Sequence, residues 1–298
     1  MHDRSLGRLV VAICLACLAA TSAHGARLEY VGGYVWDVPD PSIGGLSGIE
    51  VTADGGQFWA VGDKGVFVEG RFLRENGRIT GIDAGARPLG SEQEPGRAPI
   101  EFTDAEGLAL TPDGTLFISF EGFHRVWPWD DAAGMVRRFP NPQEFAGLQR
   151  NSSLETLAAD AAGNLYTLPE RSGKLTRPFP VYRISRDGSR FDIAFQIPRR
   201  GEFLPAGADF GPDGRFYLVE RHFLGILGFR TRIRVFTLEG DEIVAEETLL
   251  ETEGPVHGNL EGISVWEDDD GFLRLTLVAD DNFRSFLSTE FVEYRLIP

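Results

Sequence analysis

Short runs of apolar residues alternate with small or polar residues along most of the chain, and each run ends at a Gly, Asp or Asn turn. Residues 116–118 and 216–219 are typical runs, and one residue separates each of them from a preceding Asp-Gly pair. Apolar runs of this length, bounded by turn residues, predict β-strands joined by tight hairpins. The composition supports this prediction, because 36 Gly and 22 Phe beside only 2 Met favour tight turns and aromatic packing.

One pattern occurs five times along the chain. It consists of a small or acidic residue, a second small residue, an apolar strand, a turn, a second apolar strand and a final acid. The copies begin at Ser47, Glu106, Glu155, Ala206 and Glu261, and they end at Asp63, Glu121, Glu170, Glu220 and Asp280. Their starting positions are separated by 59, 49, 51 and 55 residues. This spacing is typical of the blades of a β-propeller.

Each repeat continues with further strand-like runs, so that a repeat supplies four strands, but the last one ends before its fourth strand. The N-terminal run 28–38 can fill that place, which would close the ring and remove two open sheet edges. The sequence therefore predicts an all-β, five-bladed propeller that occupies residues 27–298 as a single domain. A six-bladed ring, with a degenerate blade in the 59-residue interval, is the alternative.

The first 26 residues have the layout of a secretory signal peptide. Arg4 and Arg8 precede an apolar run over 9–20, and small residues follow at Ser22, Ala23, Gly25 and Ala26. Both cysteines, Cys14 and Cys17, lie in this segment, so the processed protein would contain no thiol or disulfide. We therefore expect a periplasmic or secreted protein without a membrane anchor once the signal is removed.

Acidic residues dominate the charge: 45 Asp and Glu stand against 29 Lys and Arg, which gives a formal net charge of -16. A protein of this charge is not expected to bind nucleic acid, because binding to the phosphate backbone needs a basic surface.

The acids that frame the repeats are expected to meet on one face of the ring. In a hairpin the start of the first strand and the end of the second lie at the same end, and the long connections fall there too. Eight of the ten positions are acidic: Asp63, Glu106, Glu121, Glu155, Glu170, Glu220, Glu261 and Asp280. The mouth of the central channel on this face is the predicted functional site.

So many carboxylates at short range would repel one another unless a cation compensates their charge. A divalent metal, best matched by Ca²⁺, is predicted because calcium takes several hard oxygen ligands in irregular geometry. Zinc is disfavoured, since no His pair or Cys cluster has the spacing of zinc ligands. The predicted metal ligands are Glu106, Glu155, Glu261, Asp63, Glu121, Asp280 and Asn259, with Asn151 and Asn282 as further oxygen donors.

A plainer alternative stays open for some of these acids. An acid at the end of a second strand can cap the following turn through backbone N–H groups, and Asp63, Glu170 and Glu220 fit that role equally well. The glutamates of the first strands, Glu106, Glu155 and Glu261, would face the channel itself, which favours a metal or substrate site.

Basic residues and histidines on the same face complete the candidate site. Lys64, Arg171, Arg221 and His222 each follow one of the acids and are the predicted substrate-binding residues, although surface ion pairing would also explain them. His257, two residues before Asn259, is the first candidate for a general acid or base, and Asp104 is the second candidate catalytic residue. A small anionic or ester substrate would suit this mixture of charges. The chain contains no Gly-x-Ser-x-Gly elbow, phosphate-binding loop, dinucleotide fingerprint or His-Glu-x-x-His motif.

An ordered set of motifs resembles the phytase-like family of exported bacterial proteins, which is described as having the esterase-like activity of phytase. The motifs are Gly45-Leu46-Ser47-Gly48-Ile49, Asp104-Ala105-Glu106-Gly107-Leu108, Asn151-Ser152-Ser153-Leu154-Glu155, Gly258-Asn259-Leu260-Glu261-Gly262-Ile263 and Asp280-Asp281-Asn282-Phe283. The resemblance implies a β-propeller that hydrolyses a phosphoester or ester, with a calcium requirement. The rim carries fewer basic residues than the phosphate cleft of a true propeller phytase, so phytate itself is not the expected substrate.

Three functional hypotheses follow. The first is an exported metal-dependent hydrolase of phosphoester or ester substrates at the channel mouth. The second is a lactonase or carboxylesterase of the gluconolactonase type, which also uses one divalent ion. The third is a non-catalytic propeller that binds a cell-envelope ligand or partner, since propellers serve both purposes.

Overall fold

The computed structural model describes residues 25–38, 40, 42–91, 104–121, 123–140, 142, 145, 154–281 and 288–298. The predicted signal peptide as far as residue 24, and the candidate oxygen donors Asn151 and Asn282, lie outside these residues.

Five antiparallel sheets, arranged in a ring, form the five blades predicted from the repeats. The first strand, β1 (Arg27–Val35), belongs to the last blade. Blade 1 has β2 (Leu46–Val51), β3 (Gln57–Gly62), β4 (Val66–Glu75) and β5 (Arg78–Pro88). Blade 2 has β6 (Gly90–Ser91), β7 (Ala105–Leu110), β8 (Leu116–Phe120), β9 (Arg125–Asp130) and β10 (Met135–Val136). Blade 3 has β11 (Ala158–Ala159), β12 (Leu165–Thr167), β13 (Phe179–Ile184) and β14 (Phe191–Ile197). Blade 4 has β15 (Leu204–Phe210), β16 (Phe216–Phe223), β17 (Phe229–Glu239) and β18 (Glu242–Glu251), and blade 5 has β19 (Asn259–Glu267), β20 (Leu273–Asp280) and β21 (Glu290–Ile297). A 3₁₀ turn at Gly225–Leu227 joins β16 to β17.

The ring is closed as predicted, by pairing the N-terminal strand with the last blade. Strand β1 runs antiparallel to β21, from Arg27 opposite Ile297 to Val35 opposite Glu290. This pairing supplies the fourth strand that blade 5 lacks and covers the edge of β21. Blade 2 differs from the prediction in one detail, because the short β6 joins it as an extra strand parallel to β10.

Aromatic and aliphatic side chains fill the space between neighbouring blades. Phe67 of blade 1 stacks on Trp129 of blade 2 with ring centroids 4.3 Å apart, and Phe58 of blade 1 meets Phe291 of blade 5 at 5.4 Å. Phe58, Phe67 and Phe291 are fully buried. Burial of each such side chain stabilises the fold by roughly 1.5–3 kcal/mol, so the core of this propeller lies between the blades and not within any one of them.

The five innermost strands, β2, β7, β11, β15 and β19, contact one another around the axis. Glycines let their backbones approach closely. A Cβ at Gly48 would lie 2.7 Å from the Leu108 backbone nitrogen, and a Cβ at Gly207 would overlap the Glu261 carbonyl oxygen. The small residue that follows each repeat start is therefore required by the narrow hub of the ring.

Candidate functional site

The pairing of the first two strands of each blade defines equivalent positions at the channel mouth. Glu121 donates its backbone N–H to the Asp104 carbonyl, Asp63 does the same to Gly45, and Asp280 pairs with Asn259. In blades 1, 2, 4 and 5 the pairing also skips the residue at the repeat start, which is a β-bulge. Such a bulge re-aims the extra side chain. The skipped residues include Ser47, Glu106, Ala206 and Glu261.

Three buried glutamates stand at this position. Glu106, Glu155 and Glu261 are almost fully buried. Glu106 and Glu155 line the central cavity together with Ser47 and backbone of the inner strands. Burial raises the pKa of Glu106 well above its usual range, and the nearby Glu155 adds to the effect. Burial likewise raises the pKa of Glu155 to about 8. Without a bound metal cation, Glu106 and Glu155 are therefore held largely in the protonated form at neutral pH.

Asp104, Glu106 and Glu121 form a compact group of carboxylates in blade 2, because one oxygen from each lies within 4.8 Å of the others. Burial also raises the pKa of Asp104, and the opposing effect of Arg125 is smaller. The group combines three hard oxygen donors on one hairpin. It is the arrangement in the described residues that comes nearest to a metal site.

Asp63 and Asp280 lie next to each other on the neighbouring part of the mouth. Burial and the charge of Asp280 raise the pKa of Asp63 to about 7, while Lys64 acts in the opposite direction. The Asp63 Oδ1 atom is buried and accepts no hydrogen bond from the residues that the structure describes. A buried carboxylate oxygen without a donor is a suitable ligand for a cation.

Arg221 reaches into the acidic mouth from blade 4. Its Nη1 donates to Asn259 Oδ1 at 3.1 Å and pairs with Glu261. Its Nη2 lies 3.8 Å from Glu155 Oε2 and 3.5 Å from Glu170 Oε1. Arg221 thus brings one positive charge to the carboxylates of blades 3 and 5, and it also opposes the rise in the pKa of Glu106 in blade 2.

The strand register places Arg221, and not Glu220, at the end of the second strand of blade 4, where the other blades have an acid. Arg221 pairs with Leu204, as Asp280 pairs with Asn259. Seven of the ten positions at the mouth are therefore acidic, one fewer than the sequence predicted. The spacing contains this signal: Glu121 and Glu170 follow their turn glycines, Gly114 and Gly163, by seven residues, and so does Arg221 after Gly214.

Glu220 points away from the mouth into blade 4. It is fully buried, accepts a hydrogen bond from Arg232 Nε at 2.6 Å and pairs with Arg234 Nη1 at 3.0 Å. Arg234 also donates to Glu246 at 2.9 Å. Two guanidinium groups therefore hold Glu220 in a structural ion network.

The two predicted histidines lie outside the carboxylate group. His257 Nε2 is 2.6 Å from Tyr294 Oη, and its ring stacks on Tyr30 in the outer part of blade 5. His222 faces Glu202, 3.3 Å away, and its ring contacts Phe203. Neither histidine touches the Asp104 group through these contacts.

The remaining predicted cations lie at the rim. Arg171 is more than half exposed and pairs with Glu170 at 3.1 Å. Lys64 is exposed beside Asp63. Asn259 is buried and donates through Nδ2 to Glu261 Oε1 at 2.7 Å, so it links Arg221 to the glutamate.

Arg125 is a site residue that the sequence reasoning missed. It begins β9, it is buried, and its guanidinium lies 3.9 Å from the centroid of the Phe120 ring. Burial lowers its pKa to about 10, against the opposing effect of Asp104. An arginine at the head of the apolar run Val126-Trp127 was the available signal, because a charged residue in such a run needs a partner.

The donor set fits a hard divalent cation. Asp104, Glu106 and Glu121 supply clustered oxygens, and Asp63 supplies an oxygen without a donor. Burial raises the pKa of Asp104, Glu106 and Asp63, and a bound cation would stabilise their charged forms. The described residues contribute no sulfur or imidazole to the group, as expected for Ca²⁺ or Mg²⁺ and not for zinc.

A protein-family model described as "Phytase-like: Esterase-like activity of phytase" matches residues 41–283. The match includes blades 1 to 4, the first two strands of blade 5 and all the clustered carboxylates. No curated protein matches the chain significantly.

Several solved structures are similar to this chain at low identity. Virginiamycin B lyase from Staphylococcus aureus is 14% identical with a TM-score of 0.43, and the match covers 86% of this chain and 71% of that one. The PQQ-bound aldose sugar dehydrogenase from Streptomyces coelicolor is 13% identical with a TM-score of 0.48, over 92% and 99% of the chains. A putative oxidoreductase (glucose dehydrogenase) from Thermus thermophilus is 16% identical with a TM-score of 0.46, over 92% and 100%. Similarity at this level carries no argument about activity.

In the described part of the chain, no helix is both long and apolar enough to cross a membrane.

Proposed function

Because the chain belongs to the phytase-like family, whose model matches residues 41–283, we propose that it is a metal-dependent hydrolase of phosphoester or ester substrates. The carboxylate group of Asp104, Glu106 and Glu121 is the observation that supports this proposal most strongly. The reaction would take place at the mouth of the central channel, where these residues meet the cations of the rim. The family and the N-terminal pattern of charged and apolar residues support a location in the periplasm or outside the cell.

Glu106 and Glu121 would hold the metal with Asp63 and Asp280 beside them, while Asp104 of the same group would be left to act on water or substrate. Calcium is our proposal for its identity, because the ligands are all oxygens and come from loops and strand ends of irregular geometry. When bound, a divalent cation polarises the substrate oxygen and lowers the pKa of water. Arg221 already contacts Glu155, Glu261 and Asn259 on the other side of the mouth.

The basic residues would hold the anionic part of the substrate. Arg221 is fixed by Glu155, Glu170 and Asn259, so its charge is pre-positioned beside the carboxylate group. Arg171 and Lys64 lie farther out and remain accessible from solvent. A fixed guanidinium offers several N–H donors to a phosphate or carboxylate oxygen without having to be ordered first.

Asp104 is better placed than His257 to move a proton. Its carboxylate belongs to the group itself and has a raised pKa, whereas His257 Nε2 is already engaged with Tyr294. We therefore propose Asp104 as the general base, and we assign His257 to the packing of blade 5.

Hydrolysis assays with matched variants test the proposed function. Turnover of a phosphomonoester, a lactone and an aryl ester is measured with Ca²⁺ and with a chelator, for the wild type, Glu106→Gln and Glu50→Gln. Glu50 is a suitable control because it is another buried inner-strand glutamate with a raised pKa, but it bonds to Leu110 N and Ser264 Oγ, away from the mouth. We expect Glu106→Gln to reduce Ca²⁺-dependent kcat/KM about 100-fold or more, while Glu50→Gln stays close to the wild type.

Two results would contradict the proposal. Turnover that is indifferent to the chelator and to Glu106→Gln would exclude the metal site. Absence of turnover on all three substrates, with Ca²⁺ still raising Tm, would instead identify a binding protein.

A further inference from the structure

Exposed apolar side chains gather on the face that carries the channel mouth. Eleven large apolar side chains are exposed in the described part of the chain. Six of them lie on loops of this one face, between the second and third strands or between blades 4 and 5. They are Phe123, Leu175, Phe223, Ile226, Leu227 and Val256. They add apolar surface to the face that carries the candidate site.

The loop between β16 and β17 is the most apolar part of this face. From Phe223 to Phe229 it reads Phe-Leu-Gly-Ile-Leu-Gly-Phe, without one polar side chain. Phe223 is 61% exposed, Leu227 67% and Ile226 104%, so the tip projects fully into solvent. We call residues 223–229 the apolar loop.

The apolar loop has a defined conformation. Gly225 and Gly228 have φ angles of 67° and 102°, which allow the 3₁₀ turn to form at the tip. Phe223 and Phe229 pair at its base with ring centroids 5.0 Å apart, and Gly228 lies against Pro255, next to the exposed Val256. The exposed side chains are therefore presented together by a supported hairpin.

Surface loops are normally polar, and a contiguous apolar patch on a protein surface usually marks a site of contact with a protein or a membrane. Two acids near the base of this loop have a basic neighbour. His222 faces Glu202 at 3.3 Å, and Arg230 pairs with Glu251 at 2.9 Å. The apolar loop itself, from residue 223 to 229, carries no charged side chain.

A basic loop lies on the same face, in blade 3. Residues 171–177, which we call the basic loop, contain Arg171, Lys174 and Arg177 around the exposed Leu175, and they include no acid. Arg199 adds a further cation, because its Nη1 lies 3.4 Å from Ser172 Oγ. In a protein with a net charge of -16, this is a local concentration of positive charge.

From these two features we propose that the site-bearing face docks onto a lipid surface that contains anionic phospholipids. The apolar loop inserts between the headgroups, and the basic loop pairs with phosphate groups. The apolar and basic loops lie on adjacent blades of the same face, so binding through both would turn the channel mouth towards the lipid. Apolar residues flanked by cations are the combination that binds the membrane interface without crossing it.

This proposal goes beyond hydrolysis and does not depend on it, because docking is measured by binding alone. The wild type and three variants of the full chain are compared by flotation. The vesicles contain either phosphatidylcholine alone or equal parts phosphatidylcholine and phosphatidylglycerol. The variants are Ile226→Ser/Leu227→Ser, Lys174→Glu/Arg177→Glu, and the control Leu73→Ser/Val244→Ser. Leu73 and Val244 are 54% and 45% exposed but lie near the hairpin turns of the opposite face. All four chains share residues 1–24, so any contribution from that segment cancels.

We expect the apolar-loop variant to lose at least about ten-fold in partitioning to both vesicles, because two inserted aliphatic side chains are removed. The basic-loop variant should lose the extra binding to phosphatidylglycerol only, and the control should bind like the wild type. Equal flotation of the wild type and the apolar-loop variant would overturn the proposal. It would also be overturned if the wild type bound neither vesicle. A dimeric wild type with a monomeric apolar-loop variant would overturn it too, since the loop would then join two copies of this chain.

Discussion

At the scale of single residues, the channel mouth is organised by one arginine. Arg221 contacts Glu155, Glu170 and Glu261 and donates to Asn259 as a fourth partner. It stands where other blades place an acid, and it supplies the positive charge that half of the mouth requires. Near the carboxylates of blade 2, Arg125 acts on Asp104 and Arg221 acts on Glu106, yet burial keeps the pKa of both carboxyls raised, so a bound cation would still stabilise their charged forms.

Replacement of Arg221 tests this division of the mouth. Arg221→Gln removes the arginine that Glu155 and Glu261 share, so we expect Tm to fall by about 5 °C in chelator at neutral pH. Arg171→Gln is the matched control: it removes an arginine of the same rim that is 55% exposed and pairs with Glu170, and it should change Tm by less than about 2 °C. Equal effects of the two substitutions in thermal unfolding would show that Arg221 is an ordinary surface cation.

At the scale of strands, the hub of the propeller holds the site in place. The inner strands approach so closely that glycine is required where β15 meets β19, and the carbonyl that Gly207 approaches belongs to Glu261. The same strands carry Glu106 and Glu261 at bulges. Packing of the hub and the geometry of the mouth therefore depend on the same few residues.

A methyl group at Gly207 tests the connection between hub and mouth. Gly207→Ala forces β15 and β19 apart, and we expect Tm to fall by about 5 °C or more, because overpacking in a rigid interior cannot relax. Gly85→Ala is the control: Gly85 lies in β5, and its Cβ would meet no atom within 4 Å. It should alter Tm by less than about 2 °C. Unchanged thermal unfolding of Gly207→Ala would mean that the hub is looser than the structure indicates.

At the scale of the whole molecule, a set of buried carboxyl groups lies along the axis of the ring. Asp63, Asp104, Glu106 and Glu155 lie at the mouth, while Glu50 and Asp209 are buried farther along the inner strands. Burial raises the pKa of all six, and that of Asp209 reaches about 7. The ring thus gathers ionisable groups that a chain of the same composition would otherwise keep apart.

The stability of the protein should consequently depend on pH and on divalent cations together. A carboxyl group with a raised pKa in the folded state favours folding while it is protonated, and this contribution is lost as the pH rises through the folded value. For Asp63 that interval runs from 3.8 to about 7. In chelator we expect Tm to fall by about 5 °C or more between pH about 4 and pH about 8, and Ca²⁺ should restore most of the loss at the upper pH. Thermal unfolding over this range checks the expectation, and a Tm that rises with pH in chelator would contradict it.

The sequence by itself determined the architecture of this protein. Five copies of one strand-turn-strand pattern fixed the number of blades, and the unpaired strand at each terminus predicted the closure of β1 on β21. It also placed most acids at one face, because a hairpin returns to the end at which it started. These features follow from local patterns and chain connectivity, so the order of residues along the chain is enough to predict them.

Only the tertiary structure decided which side chains meet. Successive residues of a strand point to opposite sides, so one residue separates Arg221 in the mouth from Glu220 in the buried network of blade 4. The same holds for His257, which lies two residues from Asn259 in the sequence but turns to Tyr294. The group of Asp104, Glu106 and Glu121 depends on a bulge in β7 and on the pairing at the end of β8. Strand register, bulges and the packing of blades set these distances, and they arise from contacts between segments far apart in the chain.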